Sequence, residues 1–349
     1  MGPQPGQARE TQPMYESFYG LSEKPFSLTP DPDFLYLSAS HKKALTYLRY
    51  GIENQEGFVQ LSGEIGSGKT TILRSLLRDL DRDIRAAYIV NPRGTFRQIL
   101  RTILDQLNVV PFRLDYSKER LLNKFHEFLK SQEGLNHPPV LIFDEAQNLD
   151  ISTLEELRML SNYETDKKKL VQIILVGQPE LREKLDRPEL VQLTQRIAVR
   201  AHLGPLSRQE TSAYIEHRLR IAGADDAELF SPEACDVVQE FSRGIPRLIN
   251  VACNNIMLAG YVDEKKAFSG EMAGRAMNEM QSDDLRHGAP EPDPAPQPDF
   301  AAAAEPAATA TQAAGRSSRT RRRRLIWGVA AAATVTAIAF ALTWLLKQP

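Results

Sequence analysis

Short apolar runs recur through the first two thirds of the chain, at Phe58 to Ser62, Ala86 to Val90, Val140 to Phe143, Leu170 to Val176 and Ile197 to Leu203. Their length and β-branched content predict strands, and the unbroken run Val140-Leu141-Ile142-Phe143 has the pattern of a central parallel strand buried on both faces. Between and after them, Thr71 to Leu80, Thr95 to Leu107 and Leu154 to Leu160 carry helical spacing. Strands alternating with helices predict an α/β parallel sheet joined by right-handed crossovers. From Ser207 to about Gln281 the strand pattern is gone. Ser207 to Ile221, Ser231 to Phe241, Pro246 to Gly260 and Gly270 to Met280 predict helices, with cap and breaker signals at Ser207, Gly223, Ser231, Gly244 and Pro246. A small helical domain therefore follows the sheet domain.

The pattern changes again near the C-terminus. Ser282 to Thr320 is an Ala/Pro-rich stretch that cannot build a core and reads as a linker. After the basic cluster Arg321 to Arg324 comes an uncharged apolar run, Leu325 to Leu346. As a helix those 22 residues measure roughly 33 Å, enough to span a hydrocarbon core of about 30 Å. Trp327 and Trp344 fall at the two ends, where interfacial aromatic belts lie. Four arginines precede the run and Lys347 follows it, so the charge rule orients the N-terminal body to the cytoplasm. The expectation is a single-pass inner-membrane protein. A buried core helix, or a nucleic-acid-binding arginine tail, are the competing readings of the same segment.

Composition limits the partners. The 349 residues carry 43 Lys plus Arg against 45 Asp plus Glu, a formal charge of -2, so no global field draws the body to nucleic acid or anionic lipid. Cys235 and Cys253 lack disulfide-framework or metal-ligand spacing and read as core thiols of a reducing compartment.

The chemistry enters after the first predicted strand. Gly63-Glu64-Ile65-Gly66-Ser67-Gly68-Lys69-Thr70 is G-x-x-x-x-G-K-[ST] between a strand and a helix, the context this phosphate loop requires. Its glycines let backbone N–H groups wrap phosphates at a helix N-terminus, Lys69 reaches the β- and γ-phosphates, and Thr70 offers a hydroxyl to Mg²⁺. Gly63 through Thr70, with Thr71, form the expected ATP-binding set. Val140 to Phe143 runs into Asp144-Glu145, which places one carboxylate for the magnesium shell (Asp144) and one to polarise the attacking water (Glu145). Gly68, Asp144 and Gln178 all fall at strand C-termini, where ligands gather in such sheets. Pro246 suits a helix start and puts Arg247 in the first turn, able to face a bound γ-phosphate.

With these motifs in hand the sequence resembles the AAA+ ATPases, and more narrowly the general secretion pathway protein A (ExeA-like) group, over roughly residues 14 to 280. The resemblance rests on Met14 to Leu21, Lys24 to Pro32, the phosphate loop, Phe143-Asp144-Glu145-Ala146-Gln147, Leu175-Val176-Gly177-Gln178-Pro179-Glu180-Leu181, Gln195-Arg196-Ile197 and Gly244-Ile245-Pro246-Arg247. It implies that Gln178 is the sensor 1 polar residue, Arg196 the arginine finger reaching a neighbouring subunit's nucleotide, and Arg247 the sensor 2 residue. Strand capping by Gln178, a surface ion pair at Arg196 with Arg200 as rival finger, and a structural role for Arg247 stay open. An adenine pocket is implied between Tyr15 and Tyr50, with Phe26 and Tyr36 as candidates for the base or for the core.

The expected organisation is a leader at 1–13, which is either an extension or the product of a misplaced start before Met14, then an α/β P-loop domain at 14–205. A helical lid follows at 206–281, the linker with its basic cluster at 282–324, and a transmembrane helix at 325–346. The group's periplasmic peptidoglycan-binding part is not expected here, since only three residues follow the predicted helix. Cell-wall binding is therefore not carried over; the chain is tail-anchored, or another subunit supplies the outer function. The resulting expectation is a membrane-anchored ATPase, self-assembling into a ring or open homo-oligomer, that serves an envelope, secretion or polysaccharide-export system through a protein partner. A DNA-transaction regulator and a slow nucleotide-switched scaffold are the alternatives, and the near-neutral body with no basic stripe disfavours nucleic acid.

Overall fold

The computed structural model describes residues 15–79, 84–111, 115–132, 138–165, 168–224 and 229–286. All of them lie within one compact unit. The leader, the basic cluster and the predicted transmembrane helix lie outside the described residues. Among the described residues no helix is long and apolar enough to cross a membrane.

A five-stranded parallel sheet forms the centre, from β1 (Phe58–Gly63), β2 (Ala86–Val90), β3 (Val140–Asp144), β4 (Gln172–Gly177) and β5 (Ile197–Leu203), in the order β2-β3-β4-β1-β5. The three inner strands are buried at every position, because helices cover both faces. The edge strand β5 alternates buried and exposed, as a strand covered on one face does. The other edge, β2, is blunted by a side chain. Gln106 accepts from the Tyr88 N–H at 2.7 Å and donates to the Tyr88 carbonyl at 3.0 Å, which occupies the bonds an adjoining strand would use.

One face carries α1 (Ala39–Glu53) and α2 (Lys69–Asp79), packed on Val59, Leu61, Ile142, Ile174 and Val176. The opposite face carries α3 (Phe96–Gln106), α4 (Lys118–Ser131), α5 (Ile151–Leu160), α6 (Pro179–Leu185) and the short α7 (Val191–Thr194), over Phe58, Leu141, Phe143, Ile173 and Leu175. Thr95 and Gln98 form a capping box that sets the start of α3.

The helical region consists of α8 (Arg208–Ile221), α9 (Pro232–Ser242), α10 (Pro246–Val262) and α11 (Gly270–Arg286). Two differences from the sequence expectation are physical. First, α11 continues through Arg286, four residues past the expected start of the linker at Ser282, because nothing in Ser282-Asp283-Asp284-Leu285-Arg286 breaks a helix before the prolines. Second, the buried aromatics of the N-terminal segment pack with the helical region, while Pro30 and Asp33 bond to Arg74 and Arg78 of α2. Tyr15, Tyr19, Leu21, Phe26 and Phe34 share one apolar cluster with Leu219, Ile249, Ile256 and Phe268. Tyr15 donates its hydroxyl to Asn254 Oδ1 at 2.6 Å and Tyr19 donates to the Met257 carbonyl at 2.9 Å. A chain segment without periodic pattern gives no sequence signal of which core it joins; the buried aromatics decide it.

Cys235 and Cys253 are buried free thiols in this helical core, and burial pushes both thiols up from their usual range.

The turn between α9 and α10 sets the direction of α10. Arg243 and Gly244 are both left-handed there, Pro246 opens α10, and the Leu206 N–H donates to the Gly244 carbonyl at 2.8 Å. A Cβ on Gly244 would stand 2.0 Å from the Leu206 carbonyl oxygen, at φ +76°. Gly244→Ala is therefore expected to lower stability by about 2 kcal/mol or more. The check is a fall in the urea midpoint at unchanged m-value.

Candidate active site

The loop from Gly63 to Gly68 leaves β1 and enters α2 at Lys69, with Gly66 and Gly68 at φ +80° and +96°. Lys69 is buried, and its ammonium donates to the carbonyls of Gly63 at 2.7 Å and Glu64 at 2.9 Å. Burial pulls the Lys69 ammonium below its usual range, opposed by the nearby carboxylates Glu145, Asp144, Glu64 and Glu180. A polyanion entering here meets a lysine held in place by the loop's own carbonyls.

Asp144 ends β3, and Thr70 follows Lys69 in α2; Thr70 donates its hydroxyl to Asp144 Oδ2 at 3.1 Å. The same oxygen accepts the Tyr88 hydroxyl from β2 at 2.7 Å. Burial and this bond hold the Tyr88 phenol well above its usual range, so it stays a donor. Glu145 follows in the left-handed region (φ 58°, ψ 40°) and lines the cavity above the loop. Gln178, the residue before α6, donates from Nε2 to Glu145 Oε2 at 2.9 Å.

The cavity measures about 220 Å³ and lies between the phosphate loop, the segment Ser27 to Tyr36, and the helical region at Tyr214, Arg218, Arg247 and Asn250. Arg247 sits directly over the loop: its N–H donates to the Gly66 carbonyl at 3.2 Å, and a Cβ on Gly66 would stand 2.4 Å from its own Cβ. Of the two aromatic candidates for the base, Tyr36 lines the cavity, while Phe26 is buried against Phe230 at a centroid distance of 6.0 Å and belongs to the helical core.

Arg196 lies apart from the cavity. Its Nη1 donates to the Arg158 carbonyl at 3.2 Å and to Ser161 Oγ at 2.6 Å, at the end of α5. Arg200 is exposed on β5 and donates to the Thr194 carbonyl at 3.1 Å. The structure thus brings Lys69, Thr70, Asp144, Glu145, Gln178 and Arg247 together within one chain and leaves both arginine candidates outside that group.

The residues present fit a magnesium nucleotide. Ser67 Oγ is buried without a hydrogen-bond partner among the described residues, the two left-handed glycines leave no room for side chains facing Arg247 and His41, and Thr70 with Asp144 offers hard oxygens of the kind Mg²⁺ takes.

Sequence reasoning missed His41 and Arg218. His41 is buried on α1, with Nε2 3.0 Å from the Ser67 carbonyl and Nδ1 2.6 Å from Ser38 Oγ. A neutral ring fits both contacts, Nε2–H donating to the loop and Nδ1 accepting from the serine. Arg218 is buried between cavity and N-terminal segment. It donates to the Pro25 carbonyl and, at 2.9 Å, to the Tyr214 hydroxyl, with its guanidinium 4.6 Å from the Phe34 ring centre. A lone histidine or arginine on a helix has no motif to announce it.

Residues 52–185 match the family described as AAA domain. General secretion pathway protein A of Aeromonas hydrophila is 44% identical over 248 residues, covering 71% of this chain and 45% of that protein, so the chain spans less than half of that relative's length. Among solved structures, Drosophila ORC bound to DNA matches with TM-score 0.59 at 16% identity, over 82% of this chain and 72% of that one. Aeropyrum pernix ORC2 matches with TM-score 0.55 at 17% identity, over 74% and 72%. Cdc6p of Pyrobaculum aerophilum matches with TM-score 0.54 at 20% identity, over 73% and 70%. Residues 52–185 therefore carry an AAA domain, on a parallel-sheet P-loop fold. Within that class it is similar to general secretion pathway protein A.

His41→Ala removes a buried donor from the phosphate loop and is expected to weaken ATP binding about tenfold, read from titration with a fluorescent nucleotide. Acidification carries a second test. Burial holds the His41 imidazole below its ordinary value of 6.5, outweighing the Ser67 bond and the Glu210 carboxylate that raise it. The unfolded chain then binds more protons below pH 6.5, so stability rises with pH through that window and falls as pH drops through it. His41→Gln is expected to flatten this part of the unfolding free-energy profile.

Proposed function

We propose that this chain hydrolyses ATP through the residues gathered around the phosphate loop and uses the cycle to operate or assemble an envelope, secretion or polysaccharide-export system. The observation that carries the reading is one cavity lined by Lys69, Thr70 and Glu145, with Asp144 bonded to Thr70 and Gln178 to Glu145 behind them and the helical region as its far wall. Gly63 through Thr71 hold the triphosphate. Thr70 and Asp144 would hold magnesium, which supplies charge neutralisation on the phosphate oxygens. The attacking water gives its proton to Glu145 as its oxygen bonds to the γ-phosphorus. The bond from that phosphorus to the β–γ bridging oxygen breaks, the electron pair stays on ADP, and phosphate leaves.

In this reading the helical region is a lid. Arg247 is its sensor, because it touches the loop through Gly66 and so relays the γ-phosphate state to α10. The arginine finger comes from a neighbouring copy in a homo-oligomer, with Arg196 or Arg200 supplying it. The apolar run 325–346 anchors the body to the cytoplasmic face of the inner membrane, as its length, tryptophan placement and flanking arginines support. The partner is an envelope or secretion-system protein, a proposal resting on the similarity to general secretion pathway protein A. The DNA-transaction reading gains no support from the origin-recognition structures, whose 16–17% identity speaks to fold alone.

Lys69→Ala is expected to abolish nucleotide binding, and Glu145→Gln to keep binding while turnover falls about a hundredfold or more. Wild-type turnover in Glu145→Gln would refute the water-activating role. Arg196→Ala and Arg200→Ala subunits, each mixed with Lys69→Ala subunits, identify the finger: turnover recovers in the mixture for the arginine that acts across subunits. Removal of the residues after 286 should move the protein from the membrane fraction to the soluble one.

A further inference from the structure

The loop after β3 carries a second polar side chain against Glu145. Gln147 donates from Nε2 to Glu145 Oε2 at 2.5 Å, and its Oε1 accepts the Gln178 N–H at 3.3 Å. The second contact settles which way the amide faces. Turned over, Gln147 would set its NH₂ against an N–H and its carbonyl against a carboxylate. Gln178 Nε2 adds a second donor to the same Glu145 oxygen at 2.9 Å. Both donors therefore converge on Oε2, and among the described residues no protein group donates to Oε1 of this cavity-lining carboxylate.

The position of Gln147 is itself built. A Cβ on Gly177 would stand 2.6 Å from Gln147 Oε1, so the glycine that ends β4 makes room for this amide. Lys184, in the last turn of α6, donates its ammonium to the Gln147 carbonyl and, at 2.8 Å, to the Leu149 carbonyl. The loop is thus gripped from both ends of α6, by Gln178 before its first turn and Lys184 in its last. A single donor fixes one distance to a carboxylate, whereas two donors from different elements also limit its rotation.

We propose that Gln147 is a positioning residue for hydrolysis, holding Glu145 Oε2 so that Oε1 is the oxygen that takes the proton from water. The proposal rests on the reading of Glu145 as the water-activating carboxylate. Gln147 acts through Glu145 and does not touch the nucleotide, so its contribution falls on the chemical step and not on binding.

Gln147→Met keeps the approximate shape and removes the donor; Gln147→Glu keeps the shape and sets a second carboxylate against Glu145. The expected result for Gln147→Met is a fall in kcat of about 10- to 100-fold at unchanged KM and unchanged affinity for fluorescent ATP. Gln147→Glu should lose at least as much. A packing role would be satisfied by either side chain, so wild-type kcat in Gln147→Met overturns the proposal, as does a loss confined to KM. Should Gln147→Met fail to fold, Lys184→Met releases the same loop from outside the cavity and should show the same loss in kcat at constant KM; wild-type kcat there overturns the proposal. Glu145→Gln, assayed alongside, separates the two failures. Loss of turnover in Glu145→Gln with wild-type turnover in Gln147→Met removes this proposal alone, and wild-type turnover in Glu145→Gln removes the reading beneath it.

Discussion

A glycine-rich loop that presents its amides to a ligand cannot spend those amides on holding its own shape, so the rest of the molecule must hold it. Here the grip comes from two sides. His41 on α1 reaches the Ser67 carbonyl, and the start of α10 reaches the Gly66 carbonyl. Lys69 closes the loop from within through the carbonyls of Gly63 and Glu64. Loop carbonyls are bound by protein while the loop amides other than that of Ser67, which donates to the Glu64 carbonyl at 3.1 Å, stay available, a division that suits an anion site. The sheet, the covering helices and the helical region can all be understood as the frame that keeps these contacts in register.

The same loop is the seam between sheet and helices. Arg247 packs over Gly66, Glu210 at the start of α8 accepts the Ala39 N–H at the start of α1 at 3.0 Å, and Arg218 ties α8 to the segment that walls the cavity. A change in what fills the cavity therefore bears on contacts that belong to both regions. Half-buried Tyr88, donating to Asp144, extends the polar network from the loop across β2 and β3, and the edge amide of Gln106 keeps the strand carrying Tyr88 from pairing outward.

How much of this is legible in the sequence depends on whether the signal is local. The bounds of β2 and β5 follow from their apolar runs, and the helix after the phosphate loop from its motif. Helices α1 and α4 are absent from the sequence expectation. Their buried residues do fall at helical spacing, Leu121, Phe125, Phe128 and Leu129 in α4 and Ala44, Leu48 and Ile52 in α1, behind the caps Ser117 and Ser38, so the pattern is present in the sequence. Glu145, Asp144 and Lys69 announce themselves because phosphate chemistry demands a fixed order at short spacing. His41, Arg218 and Lys184 do not, since each meets the site from a separate element, at a sequence distance set by the fold.

The sequence by itself determined the class of chemistry, the parallel α/β frame and the helical region after it, because strand and helix periods and the phosphate-loop motif are encoded over a few consecutive residues. Only the tertiary structure decided that the N-terminal aromatics join the helical core, that Phe26 is buried while Tyr36 faces the cavity, and that Arg196 rests on the end of α5. Those outcomes depend on which distant surfaces meet, and burial of apolar area is indifferent to sequence separation.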